Sequence, residues 1–401
     1  MRIAAINTIA SQNNAPGQLM MDICDAVVES KGQAMAVYGR GKRDHLNRVR
    51  CVRENTSLDV LCHTLLSRIC DSEGLHSQYV TQNIIKRLID FTPDIIHIHN
   101  LHGHYINYPI LMKWLKKVGI PVVWTMHDCW PFTGHCAYYA AKKCNGFLSG
   151  CKSCKYKSDY PKSLISRSSR NYLKKQDAFL GFKKMTIVAV SQWLADEFMD
   201  SFMSDYPIEI IPNGVDTDIF KPYDNTINKK KFKILGVASK WDNRKNLQFF
   251  LDLSSQIPED IEINLVGLSQ KTKLSANVTA IGTITNRSDL ARIYSDADVF
   301  INPSRAETFG MTTIEALACG TPVIVNNVTA MPEVIDDEIG YAVNIDNVSS
   351  VIQIINRLKS SNEKPITLCR NHVINYYSKN LMTQSYLNLY REILQERDYF
   401  F

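Results

Sequence analysis

The sequence of 401 residues lacks any long apolar run. No segment approaches the roughly 18 consecutive apolar residues that a helix needs to cross a bilayer. Met1–Asn7 is too short for a signal peptide, so we expect a cytoplasmic protein. Hydrophobic residues make up 45% and charged residues 21%, which excludes disordered and fibrous classes. This length exceeds one average core and favours two domains.

Two cofactor signatures are also missing. A dinucleotide-binding domain needs Gly-x-Gly-x-x-Gly at the start of a helix, whereas Gly39-Arg40-Gly41 follows a predicted strand and has no third glycine. No Asp-x-Asp metal motif occurs in a suitable strand context. The nicotinamide interpretation is therefore disfavoured, and we expect no cofactor for catalysis.

The sequence has 11 cysteines, but a cytoplasmic location argues against a disulfide framework. Five of them lie in a segment at residues 129–160 that is long for a loop without a staple. Cys151-x2-Cys154 has the spacing of a metal knuckle, and Cys136 and Cys144 would complete four thiolates for a tetrahedral zinc. A structural metal is one interpretation of this segment. Reduced thiols or a disulfide are the alternatives.

Positive charge is concentrated in one part of the chain. Between Lys142 and Lys184 there are twelve Lys or Arg and two Asp, although the net charge of the whole chain is only +6. Such a stretch indicates an anionic partner: phospholipid head groups, a pyrophosphate-linked acceptor or nucleic acid. The structural alternative is a solvated helix face, because residues 162–182 have the pattern of a basic helix.

Alternating strand and helix patterns predict an α/β fold. Residues 2–7 and 33–38 are typical of buried strands, and a helix is predicted between them over 18–30. This is the β-α-β opening of a doubly wound sheet. A second pattern of the same kind begins with a strand at residues 232–238, so a second domain is expected there.

The segment Ser304–Val323 contains the most specific motif. Glu307 and Glu315 flank a predicted helix start at Phe309-Gly310. A helix start exposes unpaired backbone N–H groups and the positive end of the helix dipole, which together suit an anion. Gly310 lets a phosphate approach the backbone without a Cβ in the way. The two acids could accept hydrogen bonds from a sugar nucleotide, or they could be ordinary acids favoured by the helix dipole.

This string resembles the Glu-x7-Glu signature of glycosyltransferase family 4, the retaining sugar-nucleotide transferases with the GT-B architecture. The match includes Phe-Gly, the Glu-Ala-Leu-Ala run and the Gly-Thr-Pro-Val exit. The resemblance implies two Rossmann-like domains facing an interdomain cleft. The acceptor-side domain would span 1–213 and the nucleotide-sugar domain 214–378, with a helix over 379–401 returning to the first domain.

The resemblance also implies which residues bind the donor diphosphate. Lys245 keeps the family lysine, and Lys240 occupies the position of the family arginine. Lysine keeps the charge but loses the bidentate fork, so the neighbouring Arg244 would compensate. Further donor contacts are expected at Thr308, Phe309, Gly310 and Met311 and, in the first domain, at Gly17, where the family usually has two adjacent glycines.

Three further residues receive roles from the resemblance. Glu307 is expected to hold the sugar hydroxyls and Glu315 the ribose. His127 follows a predicted strand and matches the family histidine that faces the donor sugar, although a lone histidine is more often structural. Other histidines expected near the acceptor are His97, His99, His102 and His104.

These features predict a retaining, metal-independent glycosyltransferase. The donor would be a UDP- or GDP-linked sugar and the acceptor a hydroxyl of a lipid-linked glycan in O-antigen, capsule or exopolysaccharide biosynthesis. A subset of family 4 enzymes has a similar Trp-Pro-x-Thr-Gly and cysteine insert after its His-Asp pair. The basic stretch predicts peripheral association with the anionic inner membrane. For a glycosyltransferase we expect no nucleic-acid partner. The alternatives are a GT-B sugar-nucleotide epimerase and a non-enzymatic zinc- or nucleic-acid-binding protein.

Overall fold

The computed structural model describes residues 1–11, 14–41, 49–223, 231–361 and 364–398. The chain divides into two compact units. The first unit comprises Met1–Ile211 together with the C-terminal segment from Thr383, and the second comprises Pro212–Met382. The expected boundaries at residues 213 and 378 lie within a few residues of this division.

The first unit contains a seven-stranded sheet flanked by helices. Its strands are β1 (Arg2–Ile9), β2 (Gln33–Arg40), β3 (Arg50–Val52), β4 (Ile95–Ile98), β5 (Val122–Met126), β6 (Met185–Ala189) and β7 (Ile208–Ile210). Its helices are α1 (Ala15–Glu29), α2 (Ser57–Cys70), α3 (Gln78–Phe91), α4 (Tyr108–Val118), α5 (Ser168–Phe179) and α6 (Gln192–Met199). The strands are parallel and lie in the order β3-β2-β1-β4-β5-β6-β7.

The second unit repeats this design with six strands. They are β8 (Phe232–Val237), β9 (Ile261–Val266), β10 (Val278–Gly282), β11 (Val299–Asn302), β12 (Val323–Asn326) and β13 (Gly340–Val343). The helices are α7 (Leu247–Ser254), α8 (Arg287–Asp296), α9 (Met311–Ala318), α10 (Val348–Ser360) and α11 (Ile366–Tyr376). The last helix, α12 (Lys379–Asp398), begins in this unit and belongs to the first unit from Thr383 onward. The strands are again parallel, in the order β10-β9-β8-β11-β12-β13.

Local sequence explains where these elements begin. The central strands β4, β5, β11 and β12 are buried at every position, as parallel strands covered on both faces require. Helix α1 starts where the Asn14 side chain accepts a hydrogen bond from the Gly17 N–H. Helix α2 starts at a capping box between Thr56 and Asp59.

Each sheet has one switch point, where successive strands change direction across the sheet. In the first unit it lies between β1 and β4, and in the second between β8 and β11. The carboxyl ends of parallel strands at such a point form a crevice in which ligands bind in doubly wound folds. The loops that follow these four strands are therefore where a site is expected.

The last helix, α12, is held in the first unit by two buried tyrosines. The Tyr390 hydroxyl lies 2.6 Å from His97 Nδ1, and the Tyr386 hydroxyl lies 2.8 Å from Thr125 Oγ1. These bonds tie the helix to β4 and β5. Within the described ranges, no helix combines the length and the apolar character that crossing a membrane requires.

Candidate active site

Two loops meet at the switch point of the second unit. One loop, residues 238–246, follows β8, and the other, residues 303–310, follows β11. The Arg305 backbone N–H donates to the Arg244 carbonyl at 2.8 Å, and Arg244 Nη1 donates to the Ala306 carbonyl at 3.1 Å. The two loops are thereby fixed to each other, and the motif residues that they carry become neighbours.

Glu307 lies between two cations in this crevice. Lys245 Nζ forms a hydrogen-bonded ion pair with Glu307 Oε1, and Arg244 Nη1 lies 3.1 Å from Glu307 Oε2. Burial acts to raise the pKa of Glu307, but the charges of Lys245 and Arg244 outweigh it and lower the pKa to about 2. Glu307 is therefore a carboxylate at neutral pH, flanked by two positive charges.

Glu315 is in a different electrostatic environment. It lies in α9, and the Tyr294 hydroxyl donates a hydrogen bond to its Oε2 at 3.0 Å. Burial raises the pKa of Glu315 to about 7, against the opposing effects of Tyr294, Arg287 and Lys245. The two motif acids therefore differ, because neighbouring cations favour the ionised form of Glu307 and burial disfavours the ionised form of Glu315.

Helix α9 begins without a side-chain cap among the described residues. Gly310 precedes it in the left-handed region, with φ 97° and ψ 57°. A helix start without a side-chain cap leaves backbone N–H groups of the first turn available to an anion, although the Thr313 N–H already donates to the Gly310 carbonyl at 2.9 Å. Thr308 and Met311 beside them are half-buried.

The surroundings of Phe309 and Lys240 limit how each could contact the donor. The Phe309 side chain is buried and packs edge to face against Tyr377, with ring centroids 5.7 Å apart. The prediction of a donor contact at Phe309 therefore narrows to its backbone. Lys240 is exposed at the start of the loop after β8, whereas Lys245 is half-buried in the ion pair.

In the first unit, His127 follows β5 and contacts His99. His127 Nε2 lies 2.8 Å from His99 Nδ1, and the two rings are stacked. Burial lowers the pKa of His127 to about 4, so its imidazole is neutral at pH 7. A neutral ring carries one N–H donor and one acceptor nitrogen.

Asp128 forms the next link at the same edge of the sheet. Its Oδ2 lies 2.7 Å from His102 Nε2, and His102 Nδ1 lies 2.8 Å from the Tyr160 hydroxyl. The Trp130 N–H donates to Asp128 Oδ1 at 2.9 Å. The segment at 129–160 is therefore anchored at its start and at its end to the loop after β4.

His97 does not belong with the expected acceptor histidines. It is fully buried, and its ring nitrogens are taken by Thr125 and Tyr390. The expectation of an acceptor role for His97 is therefore wrong, because neither ring nitrogen is left to contact an acceptor. Gly17, in turn, is buried in the first turn of α1, and a Cβ there would lie 2.8 Å from the Ile9 carbonyl oxygen.

Another group in the first unit has metal-ligating atoms close together. Within the described ranges, His63, Glu73 and His104 place one ligand atom each within 4.8 Å of one another. Glu73 Oε2 lies 2.5 Å from His104 Nδ1, His63 Nδ1 lies 2.7 Å from Ser77 Oγ, and the Gly74 N–H donates to His63 Nε2 at 3.3 Å. These contacts between protein groups account for the cluster without an ion.

Both units match glycosyltransferase family models. Residues 25–219 match the model described as Glycosyltransferase Family 4, and residues 231–361 match the one described as Glycosyl transferases group 1. The chain is a GT-B glycosyltransferase. A relative in Escherichia coli K12, the putative colanic acid biosynthesis glycosyl transferase WcaC, is 25% identical over 374 residues, which is 88% of this chain and 90% of the relative.

Solved structures confirm the fold of this glycosyltransferase. Sucrose-phosphate synthase from Thermosynechococcus elongatus superposes with a TM-score of 0.74 at 17% identity, covering 98% of this chain and 99% of that one. Alr3699/HepE from Anabaena, solved in complex with UDP-glucose, superposes with a TM-score of 0.67 at 16% identity, covering 99% and 100%. The predicted GT-B class is therefore correct. The family matches also argue against the alternative of a non-enzymatic zinc- or nucleic-acid-binding protein.

The basic stretch of the glycosyltransferase differs from the expected basic helix. Residues 163 and 164 hydrogen-bond to the Arg68 carbonyl instead of continuing a helix, so α5 starts only at Ser168. The expectation of a basic face is wrong for Lys175, which is buried and donates to the carbonyls of Trp130 and Thr133. The exposed positive charge lies elsewhere in the stretch, at Lys143, Lys152, Lys155, Lys162, Arg167, Arg170, Lys183 and Lys184.

Sequence reasoning missed several residues that the structure places around the predicted sites. Tyr294 bonds Glu315 from α8, and the Asp71 carboxylate accepts a bond from His135 in the cysteine segment. Neither pair is separated by a helical or strand period, so no local pattern could have joined them. A signal did exist for His135, because it directly precedes Cys136 in the motif.

Proposed function

We propose that this glycosyltransferase moves a sugar from a nucleotide-sugar donor to a hydroxyl group with retention of anomeric configuration. The cluster of Lys245, Arg244 and Glu307 beside the uncapped start of α9 carries the proposal. A departing nucleoside diphosphate gains negative charge, which two cations and oriented backbone N–H groups stabilise in place. The similarity to HepE, solved with UDP-glucose, is consistent with a nucleotide-sugar donor.

The two acids have complementary roles in this proposal. Glu307, ionised and positioned by Lys245 and Arg244, accepts hydrogen bonds from hydroxyls of the donor sugar. Glu315, with a pKa of about 7, accepts hydrogen bonds from the ribose, while the Tyr294 hydroxyl donates a hydrogen bond to Glu315 Oε2. A donor phosphate oxygen takes the acceptor proton, so no protein base is needed.

His127 contributes from the first unit. Because burial keeps its imidazole neutral at pH 7, it donates or accepts a hydrogen bond without bringing a full charge to the sugar. We propose that this hydrogen bond positions the donor sugar. The contact of His127 with His99 holds the ring plane in place.

A nucleotide screen followed by product analysis tests the proposal. Thermal melting with UDP, GDP and ADP should show stabilisation by one diphosphate, by about 2.7 kcal/mol when its concentration is 100 times its Kd. NMR of the product should show the anomeric configuration of the donor. An inverted product would contradict retention, and turnover of the donor sugar without any acceptor would indicate an epimerase instead.

We further propose a lipid-linked acceptor and a peripheral position on an anionic membrane. Helix α2 carries the supporting observation, since five large aliphatic side chains on it are 45% to 67% exposed. They are Leu58, Leu61, Leu65, Leu66 and Ile69. Their spacing of three and four residues puts them on one face, which is typical of helices that lie at a membrane interface.

Neighbouring charge favours a bilayer over a protein partner for this face. The exposed Leu164 is bonded through its N–H to the Arg68 carbonyl of α2 at 2.7 Å, which brings the basic stretch to the end of the apolar face. Arg68, Lys162 and Arg167 are exposed there. Aliphatic side chains next to several cations match the acyl and head-group regions of an anionic leaflet. The relative WcaC, named for colanic acid biosynthesis, supports a surface-polysaccharide acceptor.

Vesicle flotation tests the membrane proposal. The protein should float with phosphatidylglycerol-containing vesicles and much less with phosphatidylcholine alone, and Leu61→Glu/Leu65→Glu should reduce flotation severalfold. Leu368→Glu is a matched control, because Leu368 is also exposed but lies on α11. No flotation of the wild type would remove the proposal. A change in oligomer mass of the double variant with unchanged flotation would instead assign the face to self-association.

A further inference from the structure

The cysteine segment has a feature that the transfer reaction does not use. Cys136, Cys144, Cys151 and Cys154 line a single cavity of about 170 Å³, together with His135. Cys136 Sγ and Cys154 Sγ are 3.9 Å apart. Four thiolates at the usual zinc–sulfur distance of about 2.3 Å have sulfur atoms about 3.8 Å apart, so this pair already has the spacing of a tetrahedral zinc site.

A third cysteine is positioned by its surroundings. Cys151 Sγ accepts a hydrogen bond from the Gly134 N–H at 3.2 Å, and the Ser168 hydroxyl donates to the Cys151 carbonyl at 2.7 Å. A Cβ at Gly134 would lie 2.7 Å from Cys151 Cβ, so only glycine lets the backbone at residue 134 lie this close to Cys151. These two bonds hold the Cys151 backbone and its sulfur in fixed positions at the wall of the cavity.

His135 provides an independent indication of a missing partner. Its side chain is 2% exposed, and its Nδ1 lies 2.6 Å from Asp71 Oδ1, which itself is buried. Its other ring nitrogen, Nε2, has no hydrogen-bond partner among the described residues, although His135 lines the cavity. A buried polar atom without a partner is energetically costly, so this nitrogen indicates that the cavity normally holds another group.

A buried lysine would partly offset the charge of an occupied cavity. Zinc with four thiolates carries a net charge of −2, which is costly to bury alone. Lys175 is buried beside the segment, with Nζ bonded to the carbonyls of Trp130 and Thr133 and 3.6 Å from the centroid of the Trp130 ring. A buried ammonium group bonded only to carbonyls lacks a counter-ion in that shell, and a nearby metal–thiolate cluster would supply one.

We propose that the segment at 129–160 binds one structural zinc ion through Cys136, Cys144, Cys151 and Cys154. Cys144 and Cys151 close on the existing pair when the ion binds, each thiol releasing its proton to solvent. His135 and Lys175 surround the cluster without ligating it. The ion links four positions between residues 136 and 154, and it thereby holds in place the segment that bonds to Asp128.

Metal analysis of the full-length protein, purified without chelator, tests the proposal. We expect about one zinc per chain, release of that zinc when a mercurial reagent blocks four thiols, and a tetrahedral thiolate spectrum after cobalt substitution. Cys154→Ser should lose most of the zinc, whereas Cys62→Ser, at an exposed thiol on α2, should keep it. Mercurial titration uses the wild-type chain, so it shows whether thiols hold the zinc even if Cys154→Ser does not fold.

Three results would overturn this assignment. They are less than about a tenth of an equivalent of zinc in active protein, a Cys136–Cys154 disulfide found by mass spectrometry after alkylation, and loss of zinc in His135→Gln, which would make the histidine a ligand. None of them bears on sugar transfer. A zinc-free but active enzyme would therefore refute this inference and leave the proposed function intact.

Discussion

The Tyr294 hydroxyl donates a hydrogen bond of 3.0 Å to Glu315 Oε2, joining α8 to the second acid of the Glu-x7-Glu motif. Tyr294 is fully buried, and burial raises the pKa of its phenol well above its ordinary value, so the hydroxyl remains a donor at every physiological pH. Glu315 keeps a defined position in α9 even though its carboxyl group is only partly ionised near pH 7.

The raised pKa of Glu315 predicts a pH-dependent stability. Its pKa is about 7 in the folded protein, against an ordinary value of 4.5, so the folded state binds the proton more tightly. The corresponding stabilisation is complete below pH 4.5 and is lost as the pH rises through 7. The free energy of unfolding of the wild type, relative to Glu315→Gln, should fall by about 1 to 3 kcal/mol over this window. Urea titrations at several pH values measure it, and parallel stability curves would refute the assignment.

Removal of the Lys245 ammonium group should slow the reaction. If Lys245 stabilises the leaving diphosphate, Lys245→Ala lowers kcat by at least about 10²-fold, because the lost interaction strengthens in the transition state. Lys271→Ala is the matched control, since Lys271 is exposed in the same unit. Steady-state kinetics with saturating donor separate kcat from KM. Near-normal turnover of Lys245→Ala would remove the proposed role.

Gly310 allows a comparison of backbone strain with ligand binding. Gly310 and Gly119 both have positive φ, at 97° and 67°, and a Cβ would meet no atom closer than 3.4 Å at either position. Alanine should therefore cost each site about 1 kcal/mol or more of stability through strain alone. Only Gly310→Ala should also weaken binding of the nucleoside diphosphate, measured by calorimetry, because it alters the start of α9. Equal affinities of the two variants would argue against an anion site there.

The attachment of α12 depends on a buried hydroxyl. Tyr390→Phe removes the group that lies 2.6 Å from His97 Nδ1 and leaves this nitrogen without that partner. A cost of about 1 to 3 kcal/mol in the free energy of unfolding is expected. Tyr79→Phe, at a tyrosine that is 73% exposed, should have almost no effect. Urea denaturation of both variants checks the difference, and similar midpoints would show that the hydroxyl does not contribute.

Much of the fold could be predicted because its signals are local. The strands predicted at 2–7 and 33–38 lie within β1 and β2, and the helix predicted over 18–30 overlaps α1 to within one residue at its end. The helix predicted over 162–182 starts six residues too early, because Ser163 and Leu164 donate hydrogen bonds to the distant Arg68 carbonyl instead of forming a helical turn. Periodicity measures burial along one element, and it says nothing about bonds to another.

The candidate site divides in the same way. The motif acids, the lysines and the helix start between Glu307 and Glu315 can be found from the sequence, because their spacing within one loop and one helix is a local property. The pairing of charges is visible only in the folded chain, which brings together Arg244 and Glu307, Tyr294 and Glu315, and buried Lys175 and the cysteine segment. Pairing and burial depend on which loops parallel strands bring to one edge of a sheet, and that choice involves residues far apart in the chain.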